Sequence, residues 1–292
     1  MPEYENPTLP EGINVSPTHP LKEFALLLGG ISALLLALVL ALSLAAGYLV
    51  RFIPFSQEQA LASRIERHWP QGQANPHPAR QAELQTLADT LVAAMDLPPG
   101  MRIQVHYIDN ATVNAMATLG GHVLVFQGLI DILPSENALA MVLAHEIAHV
   151  RHRHPIMAMG RGFTVALALS SLSGLGDAAI QQWLGGMGML PLLSFSRDQE
   201  SQSDADALNA VYRVYGHVRD ADALFAHLDA THKLPQPPAF LATHPGHADR
   251  RAQIARFAAS HPARNQDAPR PLPAAWKTAP SPQKSPKIRA DH

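Results

Sequence analysis

The 292-residue sequence contains no cysteine. Disulfides and thiolate metal ligands are therefore excluded, and any metal site must be built from histidine and carboxylate side chains. The sequence also lacks a strong net charge, because its formal net charge at pH 7 is −2. Domains that bind nucleic acid normally carry a clear excess of basic residues, so we expect no nucleic-acid partner.

Charged residues are missing from one long stretch near the N terminus. Residues 24–50 read FALLLGGISALLLALVLALSLAAGYLV, and a helix of this length reaches about 40 Å, beyond the roughly 30 Å hydrocarbon core of a bilayer. A cleaved signal peptide is the alternative, but its apolar part is normally about 7 to 15 residues long and follows a basic start. Here an acidic, proline-rich segment, residues 1–23, precedes it. The sequence therefore predicts a disordered lead and one transmembrane anchor that contacts the lipid bilayer.

Downstream of the anchor we expect one domain over residues 57–260, in which hydrophobic periodicity predicts individual helices and strands. Apolar residues recur at helical spacing at 81–96 and alternate with polar residues at 101–108, which predicts an amphipathic helix followed by a half-buried strand. A second strand is predicted at 122–126, directly after a pair of glycines. Because glycine permits a bend or a close backbone approach, this strand either lies at a sheet edge beside a cleft or simply follows a turn.

Composition defines two further segments. Residues 156–196 are apolar, with Arg161 and Asp177 as the charged exceptions. We favour buried helices around a functional site for this segment, and a hairpin that dips into the bilayer is the alternative. Residues 261–292 are rich in proline, mostly basic in charge and without an apolar period, which predicts a disordered tail.

Histidine is concentrated in the stretch LAHEIAHVRHRH, residues 143–154. Ser135 can cap the start of a helix whose apolar residues continue at helical spacing through this stretch. Within H-E-x-x-H, His145 and His149 lie on one helix face, so both imidazoles can reach one ion. Glu146 points beside them, where it can take a proton from a metal-activated water during attack on a carbonyl. Solvated histidines on an exposed helix are the alternative interpretation.

A third ligand is needed, because a catalytic zinc normally has three protein ligands and one open position. The spacing H-E-x-x-H-x-x-G-x-x-H does not occur here, since the glycine position is His152 and the last position is Pro155. We assign no role to His152.

A glutamate from a later helix is the other common solution. Glu200 is the only glutamate after His149, and it lies in the helix-compatible segment SRDQESQSDADAL, residues 196–208. Asp204 follows four residues later on the same helix face, where it can accept a hydrogen bond from a ligand histidine, with His145 preferred, and fix its tautomer. An exposed polar helix is the alternative for this segment.

Four motifs in this order resemble those of the HtpX-like and CAAX prenyl protease type of zinc metallopeptidase: NAMATLGGHVLVFQGLIDIL, SENALAMVLAHEIAHVRHRH, SRDQESQSDADA and THP. This family includes the OMA-type and periplasmic quality-control proteases, and the resemblance covers about residues 80–255. It implies an α+β, mainly helical gluzincin fold with a small sheet whose edge strand lines the cleft. In this chain one transmembrane helix precedes that domain.

The resemblance also implies roles for individual residues. His145, His149 and Glu200 match the ligands of one Zn²⁺ per chain. Glu146 matches the catalytic base, and Asp204 matches the aspartate that orients a ligand histidine.

Further matches concern the substrate and the transition state. Asn114 matches the asparagine before the edge strand, which implies that Asn114, Gly121 and His122 help to bind extended substrate backbone by strand addition. His244 matches a late histidine that can stabilise the oxyanion. His154 matches a histidine after the active helix, which we interpret as structural support.

We therefore predict a membrane-anchored zinc endopeptidase that hydrolyses protein or peptide substrates, bound in extended form, in protein quality control. The alternative is a non-catalytic zinc-binding membrane protein with a structural or chaperone-like role, in which Glu146 would have no use. Basic residues flanking the anchor do not decide its orientation. The single anchor resembles the family's exported members, so we expect a single-pass protein with its domain on the periplasmic side of a bacterial inner membrane.

Overall fold

The computed structural model describes residues 19–66, 77–173, 195–230, 240, 244, 247–273 and 276. In this part of the chain the α-helices are α1 (Pro20–Leu49), α2 (Phe55–Glu66), α3 (Pro78–Met95), α4 (Gln127–Ile132), α5 (Glu136–Arg151), α6 (His154–Ser173), α7 (Arg197–Tyr215), α8 (Ala223–Ala230) and α9 (His247–Ser260). One sheet contains β1 (Gln104–Ile108), β2 (Ala115–Ala117) and β3 (His122–Phe126). The predicted α+β, mainly helical class is confirmed.

The described residues belong to two compact units, divided between Leu42 and Ser43. The first unit contains residues 20–42 of α1, whose leucines are largely exposed, for example Leu34 at 71 %. By length and composition, Pro20–Phe52 is the one helix among the described residues that is long and apolar enough to cross a membrane. Most of the predicted disordered lead, residues 1–18, lies outside the described residues.

The sheet has β3 at its centre, parallel to β1 and antiparallel to β2. The prediction that the 122–126 strand forms a sheet edge is therefore wrong. The edge is β2, which at three residues is too short for an alternating pattern to be recognised. The glycine pair instead permits a tight turn between β2 and β3, since Gly121 has φ +92° and a Cβ there would lie 1.9 Å from the carbonyl oxygen of Arg102.

The main hydrophobic core surrounds α5, which packs against α3, α7 and the sheet. The helix is N-capped by Ser135, whose Oγ accepts a hydrogen bond from the backbone N–H of Ala138 at 3.2 Å. Every residue from Asn137 to Val150 is buried. Because polar groups on a buried helix must find partners inside the protein, the histidines and glutamate of α5 are confined to an internal site.

The segment after α9 packs onto the start of α5. The carbonyl oxygen of Arg270 accepts a hydrogen bond from the backbone N–H of Glu136 at 2.8 Å, and Trp276 is only 2 % exposed. The sequence placed residues 261–273 in a disordered tail, whereas these contacts offset the entropy of ordering them. The rest of that predicted tail, residues 274–275 and 277–292, lies outside the described residues.

Candidate metal centre

Helix α5 carries three polar side chains into the core. His145, Glu146 and His149 are each at most 1 % exposed. His145 and His149 lie one helical turn apart, and their Nε2 atoms are 3.0 Å from each other. The four-residue spacing in the sequence thus directs both imidazoles to one point.

Helix α7 brings a carboxylate to the same point. The helix start is fixed by a capping box, in which Ser196 Oγ accepts from the backbone N–H of Gln199 and Gln199 Oε1 accepts from that of Ser196. Glu200 Oε2 lies 3.4 Å from Nε2 of His145, and Oε1 lies 3.4 Å from Nε2 of His149. Two helices separated by about fifty residues therefore form one cluster.

A further histidine completes a buried group of four potential ligands. One ligand atom each from His145, His149, Glu200 and His244 lies within 4.8 Å of the others. His244 Nδ1 is 3.0 Å from Glu200 Oε1, and the ring of Phe240 stacks on His244 with centroids 4.4 Å apart. The structure thus places His244 among the groups that could hold a metal ion, and its predicted role at the oxyanion stays a prediction.

The hydrogen bonds behind the α5 histidines suit a metal ion. Asp204 Oδ1 lies 2.9 Å from Nδ1 of His145. Because an ionised carboxylate only accepts, a hydrogen sits on Nδ1 of His145, so Nε2, which faces Glu200 and His149, is the nitrogen that can bind a metal ion once its own proton is lost. His149 can keep its Nε2 lone pair in the same way, since its Nδ1 lies 2.9 Å from Nδ1 of His154. Two such lone pairs around a carboxylate fit a shared divalent cation.

The surroundings keep the α7 carboxylates ionised. Burial opposes ionisation of Glu200, but His244 and the adjacent ring hydrogen bonds hold the pKa of Glu200 well below its usual range. Burial likewise opposes ionisation of Asp204, and Arg250 and His145 hold its pKa below the usual value. For His145, burial and Arg250 oppose protonation, but Asp204 and Glu200 outweigh them and raise its pKa to about 9. The buried carboxylates therefore provide negative charge that favours a cation.

The two histidines that follow α5's motif have different surroundings. Burial lowers the pKa of His154 to about 3, so its ring is neutral and can accept a hydrogen bond from His149. Burial also lowers the pKa of His149 well below its usual value, and Phe195 stacks on His149 with ring centroids 4.0 Å apart. His152 Nε2 instead lies 2.7 Å from Asp206 Oδ2 in a partly exposed contact. His154 thus contacts the cluster, whereas His152 has a separate partner.

Glu146 joins the cluster to the edge of the sheet. Its Oε2 accepts a hydrogen bond from the backbone N–H of Ala117 at 2.7 Å. Asn114 and Thr118 bond to β3, so the alternate residues Ala115 and Ala117 direct their backbone groups to the opposite edge of β2. No strand of the described residues pairs with that edge, and we call it the free edge of β2. Glu146 therefore lies where the free edge of the sheet meets the histidines.

The three predicted substrate-binding residues lie around this sheet. Asn114 directly precedes β2 and is 7 % exposed. Gly121 packs against the backbone of Arg102, and His122 Nδ1 lies 2.8 Å from Nε2 of His106. These contacts direct Gly121 and His122 into the sheet rather than toward the free edge of β2. Substrate binding by the three residues stays a prediction.

Sequence reasoning missed one buried residue of the site, Arg250 on α9. Its Nε and Nη2 donate to the two carboxylate oxygens of Asp204, each at 2.7 Å. Its Nη1 forms an ion-pair contact of 2.8 Å with Glu200 Oε2. Two buried carboxylates require a nearby cation, and that requirement could have directed attention to the arginines after His244.

We expect the substitution Arg250→Met to lower the free energy of unfolding by about 3–5 kcal/mol, the usual cost of removing one partner from a buried ion pair. The physical cause is the desolvated charge left on Asp204 and Glu200. Urea unfolding of the full-length protein in detergent, followed by circular dichroism, measures this loss.

The neighbouring arginine provides a matched control. Arg251 lies one residue later on α9 and contacts Asp229 and Asp222 at the surface, where solvent screens ion pairs. The variant Arg251→Met should therefore keep a urea midpoint close to that of the wild type. Equal midpoint shifts in both variants would show that burial of Arg250 has no special effect.

Several named metalloproteases are similar in sequence to this chain. The mitochondrial metalloendopeptidase OMA1 of Schizosaccharomyces pombe is 31 % identical over 148 residues, which cover 50 % of this chain and 43 % of that protein. The beta-barrel assembly-enhancing protease of Escherichia coli is 31 % identical over 152 residues, covering 47 % and 31 %. The mitochondrial metalloendopeptidase OMA1 of Danio rerio is 27 % identical over 166 residues, covering 52 % and 35 %. The matched part therefore spans less than half the length of each relative.

The family described as Peptidase family M48 matches residues 78–258. This range is more than half of the chain and extends from the start of α3 into α9. It contains His145, His149, Glu200 and His244. The resemblance to HtpX-like and CAAX prenyl protease type enzymes is thereby confirmed, and the chain belongs to peptidase family M48.

Proposed function

We propose that this protein is a membrane-anchored, zinc-dependent endopeptidase that acts in protein quality control. The observation that carries the proposal is one buried cluster, in which His145, His149 and Glu200 converge beside the carboxylate of Glu146. Three protein ligands with an adjacent carboxylate are the donor set of catalytic zinc sites that hydrolyse peptide bonds.

Glu146 has the properties of a general base. One carboxylate oxygen is held by the backbone N–H of Ala117. The other, Oε1, lies 3.4 Å from Nε2 of His244 and has no hydrogen-bond partner among the described residues. A buried carboxylate with one tethered oxygen and one oxygen directed into the cluster can hold and release a proton there. A purely structural metal site would have no use for this arrangement.

His145, His149 and Glu200 would hold the zinc, which when bound would supply Lewis-acid chemistry for activating water and polarising a carbonyl. The chain's own residues set the conditions for that chemistry. Asp204 fixes the tautomer of His145, and His154 supports His149. The rings of Phe195 and Phe240 cover the imidazoles and limit the access of bulk water.

Substrate is proposed to bind in extended form along the free edge of β2. Ala115 offers its N–H and carbonyl oxygen at this edge, and Ala117 offers its carbonyl oxygen, because the Ala117 N–H donates to Glu146. An added strand would gain main-chain hydrogen bonds there with little sequence selectivity. Asn114 precedes the edge, and its Oδ1 has no hydrogen-bond partner within the described part of the chain. That oxygen can accept from a substrate N–H. The edge ends at Glu146, so a peptide bound along it would have a peptide bond beside the proposed base.

The quality-control role and the location are proposed from two features. One relative is named a beta-barrel assembly-enhancing protease, and the segment Pro20–Phe52 can form a membrane anchor. We place the peptidase domain on the periplasmic side of a bacterial inner membrane. External protease should then degrade the domain in intact spheroplasts, and full protection of the domain would contradict this orientation.

Metal removal tests the proposed activity directly. We expect the detergent-purified full-length protein to contain one zinc per chain and to cleave unfolded casein. Dialysis against 1,10-phenanthroline should abolish cleavage, because removal of the ion removes the Lewis acid. Added zinc should restore cleavage. Zinc content by mass spectrometry and fluorescent casein release measure the two quantities. A protein that holds its zinc but cleaves no unfolded substrate would instead support a structural or chaperone-like role.

A further inference from the structure

Exposed apolar surface is confined to two segments of the described chain. Every exposed large hydrophobic side chain lies either between Leu21 and Phe52 or on α6, at Phe163, Val165 and Leu167. The first segment is the candidate membrane span. Clustered large apolar side chains on a second helix indicate a surface that contacts something other than water.

Helix α6 packs closely on the last turns of α1. Gly47 makes room for Arg161, whose Cγ would lie 2.6 Å from a Cβ at that position, and Gly160 makes room for Val50. Ser43 Oγ donates to the carbonyl oxygen of Arg161 at 3.2 Å. Because residues later in α6 contact residues earlier in α1, the two helices are antiparallel at this contact. After Arg161, α6 therefore runs away from the C-terminal end of α1.

The end of α1 has the features of a membrane interface. The guanidinium of Arg51 lies 3.9 Å from the ring centroid of Tyr48 and 4.9 Å from that of Phe52. Aromatic and basic residues at the end of an apolar helix are typical of the headgroup region. Arg161 packs within one turn of this group and can extend its charge to the same level. The part of α6 that follows Arg161 is then directed toward the acyl chains.

The second half of α6 has few polar groups that require hydrogen bonds to water. No charged residue follows Arg161 on this helix. Thr164 Oγ1 donates to the carbonyl oxygen of Gly160 at 3.0 Å, and Ser171 Oγ donates to that of Leu167 at 2.9 Å. These hydroxyls and the helical backbone are thus bonded within the helix, which meets the requirement for entry into hydrocarbon.

We propose that α6, from Phe163 onward, inserts its exposed apolar side chains into the lipid bilayer. The inference rests on the proposed membrane anchoring by α1. It favours the bilayer-dipping alternative for residues 163–173, while residues 174–194 lie outside the described residues. Because Phe163 follows His154 by nine residues, it lies about 14 Å along the helix from His154, the neighbour of His149. The proposed cleft is then held close to the membrane surface, where membrane-proximal segments of proteins are its accessible substrates.

Depth-dependent fluorescence tests this contact in the full-length protein. Because the sequence has no cysteine, single cysteines can be introduced by Leu167→Cys on α6, Leu36→Cys on α1 and Thr90→Cys on the exposed face of α3. Each is labelled with an environment-sensitive fluorophore and reconstituted into phosphatidylcholine and phosphatidylglycerol vesicles. We expect blue-shifted emission and quenching by doxyl-labelled lipids at positions 167 and 36, and quenching by aqueous iodide at position 90.

The three labelled positions distinguish a failure of the α6 proposal from a failure of the proposed anchoring by α1. Iodide quenching at position 167 with lipid quenching at position 36 would overturn the proposal for α6 alone. Iodide quenching at both positions would overturn the anchoring on which it rests. A label at position 167 that neither quencher reaches would show that protein covers α6, which also contradicts lipid contact.

Discussion

The variant Glu146→Gln is expected to bind zinc at the wild-type level and to cleave casein about 10²- to 10⁴-fold more slowly, the usual contribution of a general base. The amide has the shape of the carboxylate, and its oxygen can still accept the hydrogen bond from the Ala117 N–H. The tether to β2 therefore survives. The amide nitrogen, however, cannot take up a proton where Oε1 stands near His244. Zinc content and initial cleavage rates of the purified protein measure both expectations.

The same helix provides the control for this change. Glu136 lies in the first turn of α5 and accepts a hydrogen bond from Tyr215 Oη at 2.9 Å, remote from the cluster. Glu136→Gln makes the same chemical change and should leave the cleavage rate close to that of the wild type. Normal cleavage by Glu146→Gln would refute the assignment of the base, whereas loss of zinc in that variant would point to a ligand role.

The elements that the sequence predicted correctly are those with a repeated local pattern. Helical spacing at 81–96 and alternation at 101–108 correspond to α3 and β1. The strand at 122–126 was predicted, but its central place in the sheet was not, because backbone hydrogen bonds to its two neighbours leave no periodic pattern in the sequence. The sequence also did not indicate that the segment after α9 is ordered, because its proline-rich composition gives no sign that Trp276 anchors it in the core.

In the candidate site, too, contacts within one helix could be predicted from the sequence and contacts between elements could not. The pairing of His145 with His149 is a one-turn contact and follows from spacing alone. The contact of Glu146 with Ala117 joins residues 29 positions apart, and that of Arg250 with Asp204 joins residues 46 positions apart. Such contacts depend on how helices and sheet pack, which one sequence does not specify. The chemistry of the groups restricts which residues can form the site, since a metal site without cysteine requires a carboxylate ligand and buried carboxylates require a nearby cation.

The variant His149→Ala is expected to lose zinc, casein cleavage and the stabilisation that zinc provides. Loss of a residue that merely orients a ligand typically weakens metal binding about 10- to 100-fold, so loss of a ligand should cost more. An ion at about 1,000 times its Kd stabilises a folded protein by about 4 kcal/mol. Zinc should therefore raise the melting temperature of the metal-depleted wild type and leave that of the variant unchanged. Differential scanning fluorimetry with and without zinc measures this difference.

Two further variants distinguish lost ligation from general damage to a buried site. His152→Ala removes a histidine three residues away whose partner is Asp206, so it should keep its zinc and its thermal shift. Glu200→Gln keeps the shape of the α7 side chain and removes its charge, so it should lose zinc without creating a cavity. If His149→Ala and Glu200→Gln both retained one tightly bound zinc, the ligands would lie elsewhere, and the proposed catalytic centre would be wrong.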